Sequence, residues 1–404
     1  MVEKNHEIRN KNNKYTNRSI MENFTFENPT KLIFGKGTIS RLATEIAPEK
    51  RIMVCYGGGS AKRNGVYQQV KDALKSHFSI EFWGIEPNPD YDTVMKAVAL
   101  ARQNDIDYLV AVGGGSVIDA TKFIAHAIPY DGEDPWQLAI HNELITRSTP
   151  LAVVLTLPAT GSEMNHRGVL SRRRTKEKVS FITPFSFPRF SILDPEVTYT
   201  LPRKQLSNGI VDSFMHIMEQ YMTTTGNSVL MDRWAEGSLL SLIEISPKVL
   251  EHPTDYDTMA NFMLCTTMAL NGFVGMGVPQ DWATHRIGYE LTILYGLDHA
   301  ETLAVVFPAL LTILKEQKKE KLAQYAERVW HIQDGNTDQK ADKAIEKTVT
   351  FFRQMGLRTR MSEYGIPAEA VDIIYQRLKK SGAVYGEKKN VDAEMARAIF
   401  AQSL

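Results

Sequence analysis

Residues 107–127 have the sequence DYLVAVGGGSVIDATKFIAHA, and this stretch decides the fold. Its first part is a short apolar run typical of a buried strand, whereas the part after Ser116 has the spacing of a helix. Gly113, Gly114 and Gly115 join the two, and small residues at a helix start let free N–H groups bind a pyrophosphate. The stretch therefore predicts a phosphate-binding turn at Gly114, Gly115 and Ser116, although a strand-to-helix turn without a ligand has the same pattern. GxGxxG is absent, so this is not the common Rossmann phosphate loop.

The rest of the first half of the chain alternates in the same way. Helical patterns such as 66–78 and 93–105 separate short apolar runs. Buried strands spaced by helices indicate a mostly parallel sheet that is covered on both faces. The predicted strands are residues 32–36, 51–56, 78–84, 107–113, 151–157 and 190–194.

The pattern changes after Pro202. Long segments with a 3.6-residue apolar period follow, for instance at 231–251, and strand-like runs nearly vanish. We predict an α/β dinucleotide-binding domain at 21–202 and an all-helical metal-binding domain at 203–404, with a ligand cleft between them. Residues 1–20 are polar and rich in Asn and Lys, which predicts a disordered tail.

The composition argues against several classes of protein. Lys plus Arg and Asp plus Glu number 47 each, and a net charge of zero disfavours nucleic acid or an anionic membrane as the main partner. No apolar run approaches the roughly 20 residues of a membrane helix, and no signal-peptide pattern is present. Cys55 and Cys265 lie in apolar runs typical of buried thiols in a reducing compartment. We expect a cytoplasmic protein.

A second glycine cluster, Gly57-Gly58-Gly59-Ser60, follows the strand at 51–56, and Lys62 lies just beyond it. NAD-specific sites usually place an acid against the adenosine ribose, and no acid occurs in this segment. Small residues with a basic neighbour leave room for a 2′-phosphate, which favours NADP. An ordinary Gly-rich turn with solvated lysines is the alternative.

Hydroxyl groups follow the strand at 151–157. Thr156, Thr160 and Ser162 can hydrogen-bond phosphates or a nicotinamide amide. Because Thr and Ser at strand ends most often make local turn bonds, this feature is weak by itself.

Four residues of the second half have the chemistry of a metal site. Asp212 and His216 are four residues apart and lie on one face of a predicted helix, and His285 and His299 follow downstream. One carboxylate and three imidazoles suit zinc, iron or a similar divalent ion and leave a coordination position for substrate. Each histidine alone is more often a satisfied or exposed residue, so ligation depends on the fold.

The spacing of the last two histidines requires a turn. An unbroken helix would separate His285 from His299 by about 21 Å, too far for one ion. Gly296 can end the first helix, and Asp298 can cap the next one.

The same residues carry a resemblance to a known family. The chain from FENPTKLIFGKG, at 26–37, to the C-terminus resembles the iron-containing alcohol dehydrogenases, in the branch of NADPH-dependent aldehyde reductases and butanol dehydrogenases. The segments that carry it occur in family order. They are YGGGSAKRNGVY, GIEPNPDYDTV, AVGGGSVIDATKFI, LTLPATGSE, LDPEVTYTLP, DSFMHIMEQY, ALNGFVGMGVPQDWATH and GLDHAETLAVVFPALL.

The resemblance implies a Rossmann-like N-terminal domain and a helical C-terminal domain, the architecture of dehydroquinate synthase. It implies a metal-dependent NAD(P)H alcohol dehydrogenase or aldehyde reductase acting on aldehydes such as butanal by direct hydride transfer. NADP(H) would be preferred and NAD(H) possible, with one Fe²⁺ or Zn²⁺ ion. We also expect a homodimer, for which the edge strand at 32–36 is a candidate pairing surface. The implied metal ligands are Asp212, His216, His285 and His299. The implied cofactor-binding residues are Gly58, Ser60, Gly114, Gly115, Ser116, Asp119, Thr156, Thr160, Ser162, Asn165 and Lys178, and the Gly-rich segment after 51–56 adds Gly57 and Lys62 as candidates.

Two departures from the family pattern affect the expected chemistry. Many relatives have a further histidine four residues after the third ligand, where this chain has Tyr289, so we expect Tyr289 or Asp119 to assist proton transfer. The basic residues at 165–167 and 172–174 are expected at the surface; inside the site, they would favour polar or anionic substrates.

Three alternatives follow for the function. Phe273, Val274, Met276 and Trp282 are expected to line the site and to favour a small apolar aldehyde. A glycerol dehydrogenase-like or dehydroquinate synthase-like enzyme acting on a polyol or sugar phosphate would instead have a polar pocket lined by Lys and Arg. A non-catalytic metal- or nucleotide-binding protein is the third possibility.

Overall fold

A computed structural model describes residues 21–223 and 227–404, so the tail predicted at 1–20 lies outside the described residues. The first half forms eight strands. They are β1 (Lys31–Phe34), β2 (Arg51–Tyr56), β3 (Phe78–Phe82), β4 (Tyr108–Gly114), β5 (Leu151–Leu157), β6 (Arg167–Arg172), β7 (Glu177–Ile182) and β8 (Phe190–Leu193).

Six of these strands form one sheet in the order β1-β8-β5-β4-β2-β3, and all its pairs are parallel. The predicted parallel sheet is therefore confirmed. Sequence reasoning did not find the antiparallel hairpin of β6 and β7, which pairs Arg167 with Ile182 at its open end. Both strands contain charged residues and lack the continuous apolar run by which the other strands were recognised.

Six helices accompany the sheet. They are α1 (Leu42–Glu45), α2 (Ser60–Arg63), α3 (Val66–Ala73), α4 (Tyr91–Gln103), α5 (Gly115–Ala127) and α6 (Gln137–Ile140). Side chains of β2 alternate between two buried clusters: Met53 and Cys55 pack with α4 and α5, whereas Ile52 and Val54 pack with α1 and α3. The sheet is thus covered on both faces, which explains why its central strands read as continuous apolar runs.

The second half is helical in the described residues. Its helices are α7 (Arg203–Tyr221), α8 (Val229–Glu251), α9 (Tyr256–Ala269), α10 (Ala283–Tyr295), α11 (His299–Ile313), α12 (Lys315–Arg328), α13 (Thr337–Gln354), α14 (Ala370–Ser381) and α15 (Ala393–Gln402). We propose the domain division between 202 and 203 because it falls in the turn before α7. No helix in the described ranges is both long and apolar enough to span a bilayer.

The predicted break between α10 and α11 is confirmed. Gly296 ends α10 in the left-handed conformation, at φ 71°, where a side chain would be strained. Asp298 begins α11 with a capping box, because its side chain accepts from the backbone of Glu301 and the Glu301 side chain accepts from its backbone N–H. The chain therefore turns back between His285 and His299.

Candidate metal and cofactor site

A cavity of about 570 Å³ lies where the carboxyl ends of the strands face α7 and α10. Twelve of the sequence-predicted site residues line it. They are Gly115, Ser116, Asp119, Thr160, Ser162, Asn165, Lys178, Asp212, His216, His285, Tyr289 and His299. The other predicted cofactor residues, Gly57, Gly58, Ser60, Lys62, Gly114 and Thr156, lie outside this lining; the first four follow β2, the strand next to β4.

The four predicted metal ligands converge at one end of the cavity. Ligand atoms of Asp212, His285 and His299 all lie within 4.8 Å of one another. His216 completes the group, since its Nε2 atom is 3.6 Å from Asp212 Oδ1 and its ring stacks on that of His285 with centroids 5.0 Å apart. The separations of 3.6 and 3.7 Å from Asp212 Oδ1 to Nε2 of His216 and of His299 fit atoms that share one ion at about 2.0–2.2 Å.

The electrostatics of this cluster also suit a cation. Asp212 Oδ1 and His285 Nε2 are buried without a hydrogen-bond partner, whereas His216 and His299 each turn Nε2 towards Asp212, at 3.6 and 3.7 Å. Burial lowers the pKa of all three histidines, that of His285 to about 3, so that the imidazoles are neutral. Burial raises the pKa of Asp212 to about 7, against the opposing effect of the Lys178 charge. The residues present fit a divalent ion with one carboxylate and three neutral nitrogen ligands.

Sequence reasoning missed a carboxylate that orients one ligand. Glu219, on α7 and 2% exposed, accepts a hydrogen bond from Nδ1 of His285 at 3.1 Å. A hydrogen on Nδ1 leaves the lone pair on Nε2, the atom that has no partner. Carboxylates that fix ligating histidines in this way are common around protein metals. The spacing of Glu219 behind Asp212, two turns along α7, is the signal that could have identified it.

The phosphate turn has the geometry expected of it. β4 ends at Gly114, α5 begins at Gly115, and a Cβ atom on Gly115 would lie 2.5 Å from the side chain of Thr160. Only glycine therefore leaves the helix start open to the cavity. The free N–H groups of α5 and the hydroxyl of Ser116 face the same space, which suits a diphosphate.

A buried network fixes Asp119 behind this turn. Its carboxylate accepts from the Ser162 hydroxyl at 2.6 Å and from the backbone N–H of Val169 at 2.9 Å. Lys122, which sequence reasoning missed, donates to Ser162 at 2.8 Å and to the side chain of Asn165 at 3.2 Å. Burial lowers the pKa of Lys122 to about 8, opposed by the charge of Asp119. Asp119, Ser162 and Asn165 thus shape the cavity wall through contacts with one another.

Lys178 and Tyr289 lie between the metal cluster and the phosphate turn. The Lys178 ammonium is 4.6 Å from the centroid of the Tyr289 ring and donates to Asn88 at 2.7 Å. The Tyr289 ring lies 6.1 Å from that of His299, and burial raises the pKa of its hydroxyl. Tyr289 therefore remains protonated at neutral pH and can donate a hydrogen bond into the cavity.

The residues after β2 lie beside a separate group of aromatic side chains. Lys62 Nζ lies 4.2 Å from the centroid of the Trp83 ring, which stacks on Tyr56. Glu81, on the neighbouring strand, accepts from the Trp83 indole at 2.8 Å and from the Tyr67 hydroxyl at 2.9 Å. Both oxygens of this acid are therefore engaged, while the Lys62 charge has no carboxylate partner among the described residues.

The expectation that the basic segment at 165–167 lies at the surface is wrong. Arg167 lines the cavity, where its guanidinium lies 5.1 Å from the centroid of the Trp282 ring. The pairing of β6 with β7 turns this residue inward. Arg172 is also mostly covered, whereas Arg173 and Arg174 are exposed as expected.

The expected apolar lining is only partly present. Trp282 lines the cavity, but Phe273, Val274 and Met276 do not; Phe273 stacks on Trp234 instead. Leu270 and Val278 supply apolar contacts, beside the polar Gln280. The cavity is therefore more polar than the sequence suggested.

Comparisons with known proteins agree with this geometry. The chain matches the family described as "Iron-containing alcohol dehydrogenase" over residues 29–195, and the C-terminal part of that family over 207–404. It is 48% identical over 383 residues to the NADPH-dependent aldehyde reductase YqhD of Escherichia coli, a match that covers 94% of this chain and 99% of that protein. It is 40% identical over 389 residues to the probable NADH-dependent butanol dehydrogenase 1 of Bacillus subtilis, covering 95% and 100%.

Solved structures show the same architecture. The crystal structure of Escherichia coli YqhD superposes with a TM-score of 0.94 at 47% identity, covering 95% of this chain and 100% of that chain. The NADH-dependent butanol dehydrogenase A of Thermotoga maritima superposes with a TM-score of 0.90 at 35% identity, covering 95% and 99%. With both halves matched in order, the chain belongs to the iron-containing alcohol dehydrogenase family.

Proposed function

We propose that this protein is a metal-dependent alcohol dehydrogenase that interconverts short aldehydes and primary alcohols, using NADP(H) in preference to NAD(H). One observation carries the proposal: four ligand-type residues converge in a cavity that also contains a helix start suited to phosphate, and two of them, Asp212 and His285, have unpaired buried ligand atoms. The relatives named as an aldehyde reductase and a butanol dehydrogenase support the substrate class.

When bound, an Fe²⁺ or Zn²⁺ ion supplies Lewis-acid polarisation of a carbonyl oxygen, and the nicotinamide supplies the hydride. Asp212, His216, His285 and His299 would hold the ion. The turn at Gly115 would bind the cofactor diphosphate.

The protein's own groups supply proton transfer. Tyr289 is 8% exposed and lines the cavity beside His299. Its protonated hydroxyl is suited to donate towards an oxygen at the metal cluster, and Lys178 over its ring stabilises negative charge on it. Asp119, already bonded to Ser162 and Val169, acts mainly by holding the wall beside the nicotinamide.

The cofactor preference is inferred from the pocket after β2. Gly57 and Gly58 give close backbone approach, Ser60 begins α2, and Lys62 offers an unpaired charge to a 2′-phosphate. Glu81 is engaged by Trp83 and Tyr67, which disfavours its use by a ribose hydroxyl.

A same-fold enzyme acting on a polar or phosphorylated substrate is the second candidate. Arg167 and Arg286 in the cavity lining favour it, because a purely apolar aldehyde does not need them. A dehydroquinate synthase-like lyase would consume a sugar phosphate without net oxidation of the cofactor, which separates it from a dehydrogenase.

The deciding experiment measures initial rates of NADPH and NADH oxidation with butanal, before and after chelation and readdition of Fe²⁺ or Zn²⁺. We expect metal-restored activity that is faster with NADPH. Activity that is insensitive to complete metal removal would contradict the proposal, whereas faster NADH oxidation would contradict only the cofactor preference.

Two further properties stay predictions. β1 lies at the edge of the sheet, and pairing of two such edges would give the predicted homodimer. The predicted cytoplasmic location rests on the composition of the chain.

A further inference from the structure

Two arginines in the cavity lining lack a carboxylate partner in the part of the chain that the structure describes. Arg167 begins β6, and Arg286 follows the ligand His285 on α10. Arg172, on the same strand as Arg167, is paired with Asp134 at 3.4 Å. Arg167 instead reaches only the amide oxygen of Gln280, at 3.5 Å. Two cations of the site are thus left without a counter-charge.

These two charges line the same cavity, act on each other electrostatically and are partly removed from water. Burial, and then the charge of Arg286, lower the pKa of Arg167 to about 10. Like charges in a half-buried space are unfavourable unless an anion joins them. Glu22 lines the same cavity, but it forms no ion pair with either arginine.

The separation between the two arginines and the metal cluster determines how long a ligand must be to reach both. The Trp282 ring is 5.1 Å from the Arg167 guanidinium, 5.2 Å from the His285 ring and 6.2 Å from the His216 ring. One indole therefore separates Arg167 from the ligands, and Arg286 is next to His285 in sequence. A short carbon chain spans that separation.

The pair lies on the metal side of the cavity and not at the phosphate turn. The guanidinium of Arg167 contacts Gln280 and Trp282, both in the segment that leads into α10. Gln280 also accepts from the Trp282 indole N–H at 2.7 Å, so one amide oxygen contacts both the indole and the guanidinium. This arrangement holds the Arg167 guanidinium at the position expected for the far end of a bound substrate. The turn expected to bind the cofactor diphosphate lies elsewhere in the cavity.

We propose that Arg167 and Arg286 bind an anionic group, a carboxylate or a phosphate, at the far end of a short aldehyde whose carbonyl lies at the metal cluster. The planar guanidinium groups match such anions with paired hydrogen bonds. This inference rests on the proposed dehydrogenase function and names its substrate class. It also accounts for the cations that a neutral substrate such as butanal leaves unpaired.

The test compares two matched pairs of substrates with the metal-loaded enzyme and NADPH. The first pair is butanal and 4-oxobutanoate, and the second is glyceraldehyde and glyceraldehyde 3-phosphate. We expect kcat/KM to favour the anionic member by about tenfold or more in at least one pair. The pair with the larger ratio tells whether the anion is a carboxylate or a phosphate.

Variants test whether the two arginines determine the ratio of kcat/KM between the anionic and the neutral substrate. Arg167→Met and Arg286→Met should each lower the ratio of anionic to neutral kcat/KM by about tenfold, and Arg167→Lys should lower it less. Arg174→Met, at an exposed position in the turn of the same hairpin, should leave the ratio unchanged. Thermal denaturation of each variant separates loss of binding from loss of folding, and Arg286→Met tests the idea should Arg167→Met not fold.

Three results would overturn the proposal. They are a wild-type preference for the neutral member in both pairs, a ratio unaffected by either arginine, and a rise in KM for NADPH with the ratio unchanged. Absence of turnover with all four aldehydes would instead contradict the dehydrogenase function itself.

Discussion

Glu219 and His285 are joined twice, because the same carboxylate oxygen accepts from the backbone N–H and from the ring Nδ1 of the histidine, each at 3.1 Å. One residue thereby fixes where α10 begins and which way the ring faces. With Nδ1 engaged, Nε2 is the nitrogen that faces Asp212 and His299. A histidine whose tautomer and rotation are set in advance loses less freedom when it binds a metal.

Replacing Glu219 by Gln should therefore weaken metal binding about 10- to 100-fold, because the ring loses its charged partner. Competition with a chelator, followed by metal analysis, measures the change. Glu244→Gln, at an exposed position on α8, is the matched control. Equal affinity in the two variants would show that the Glu219 carboxylate has no part in holding the metal.

Asp212 should destabilise the metal-free protein, although it is needed for metal binding. Burial raises the pKa of its carboxyl group to about 7, so its charge is costly without a cation. Asp212→Asn should raise the melting temperature of the metal-free protein. In the wild type, metal at a hundredfold excess over Kd should add about 2.7 kcal/mol of stability, and this gain should vanish in the variant. A wild-type melting temperature that does not respond to metal would contradict both expectations.

His126 should make the protein sensitive to acid at a place remote from the metal. It is 2% exposed, its Nε2 lies 2.8 Å from the Ser186 hydroxyl, and burial together with Lys122 lowers its pKa from 6.5 to about 3. Between about pH 3 and pH 6.5, His126 is therefore protonated in the unfolded chain but neutral in the folded protein. The stability is therefore complete above about pH 6.5 and falls by up to about 1.4 kcal/mol per unit as the pH drops towards 3.

The measurement is the free energy of unfolding in denaturant at pH 7 and pH 5. His126→Gln keeps a hydrogen-bonding group for Ser186 and should lose less stability between the two pH values than the wild type. His252→Gln, at an exposed position, controls for the loss of a histidine. Equal losses in wild type and His126→Gln would rule out this origin of acid sensitivity.

Much of this site could be predicted from short stretches of the sequence. The Gly115 turn, the Asp212–His216 pair and the break at Gly296 are each specified by a few neighbouring residues. Arg167 and Glu219 were misjudged or missed because their roles depend on strand pairing and helix packing between distant segments. Phe273 was misplaced for the same reason, since it lies between α9 and α10 and its partner Trp234 is on α8.

Gly115 should be needed for the shape of the turn and not for folding. A methyl group there would meet the Thr160 side chain at 2.5 Å, so Gly115→Ala should push Thr160 into the diphosphate space. We expect KM for NADPH to rise about tenfold or more, since one or two hydrogen bonds to charged oxygens are lost. Gly237→Ala, in open space on α8, is the control and should stabilise its helix by up to about 1 kcal/mol. An unchanged KM would mean that the cofactor phosphates lie elsewhere.

Lys62 should decide between the two nicotinamide cofactors. Its ammonium lies over the Trp83 ring without a carboxylate partner among the described residues, so a 2′-phosphate would gain a charge-assisted contact that a ribose hydroxyl would not. Lys62→Gln should lower kcat/KM for NADPH about tenfold and leave that for NADH nearly unchanged. Lys71→Gln is the control, because Lys71 is exposed on α3 and lies 5.7 Å from the Tyr67 ring of the same aromatic group. Loss of activity with both cofactors would assign Lys62 to the shape of the pocket, whereas no loss with NADPH would remove it from the phosphate site.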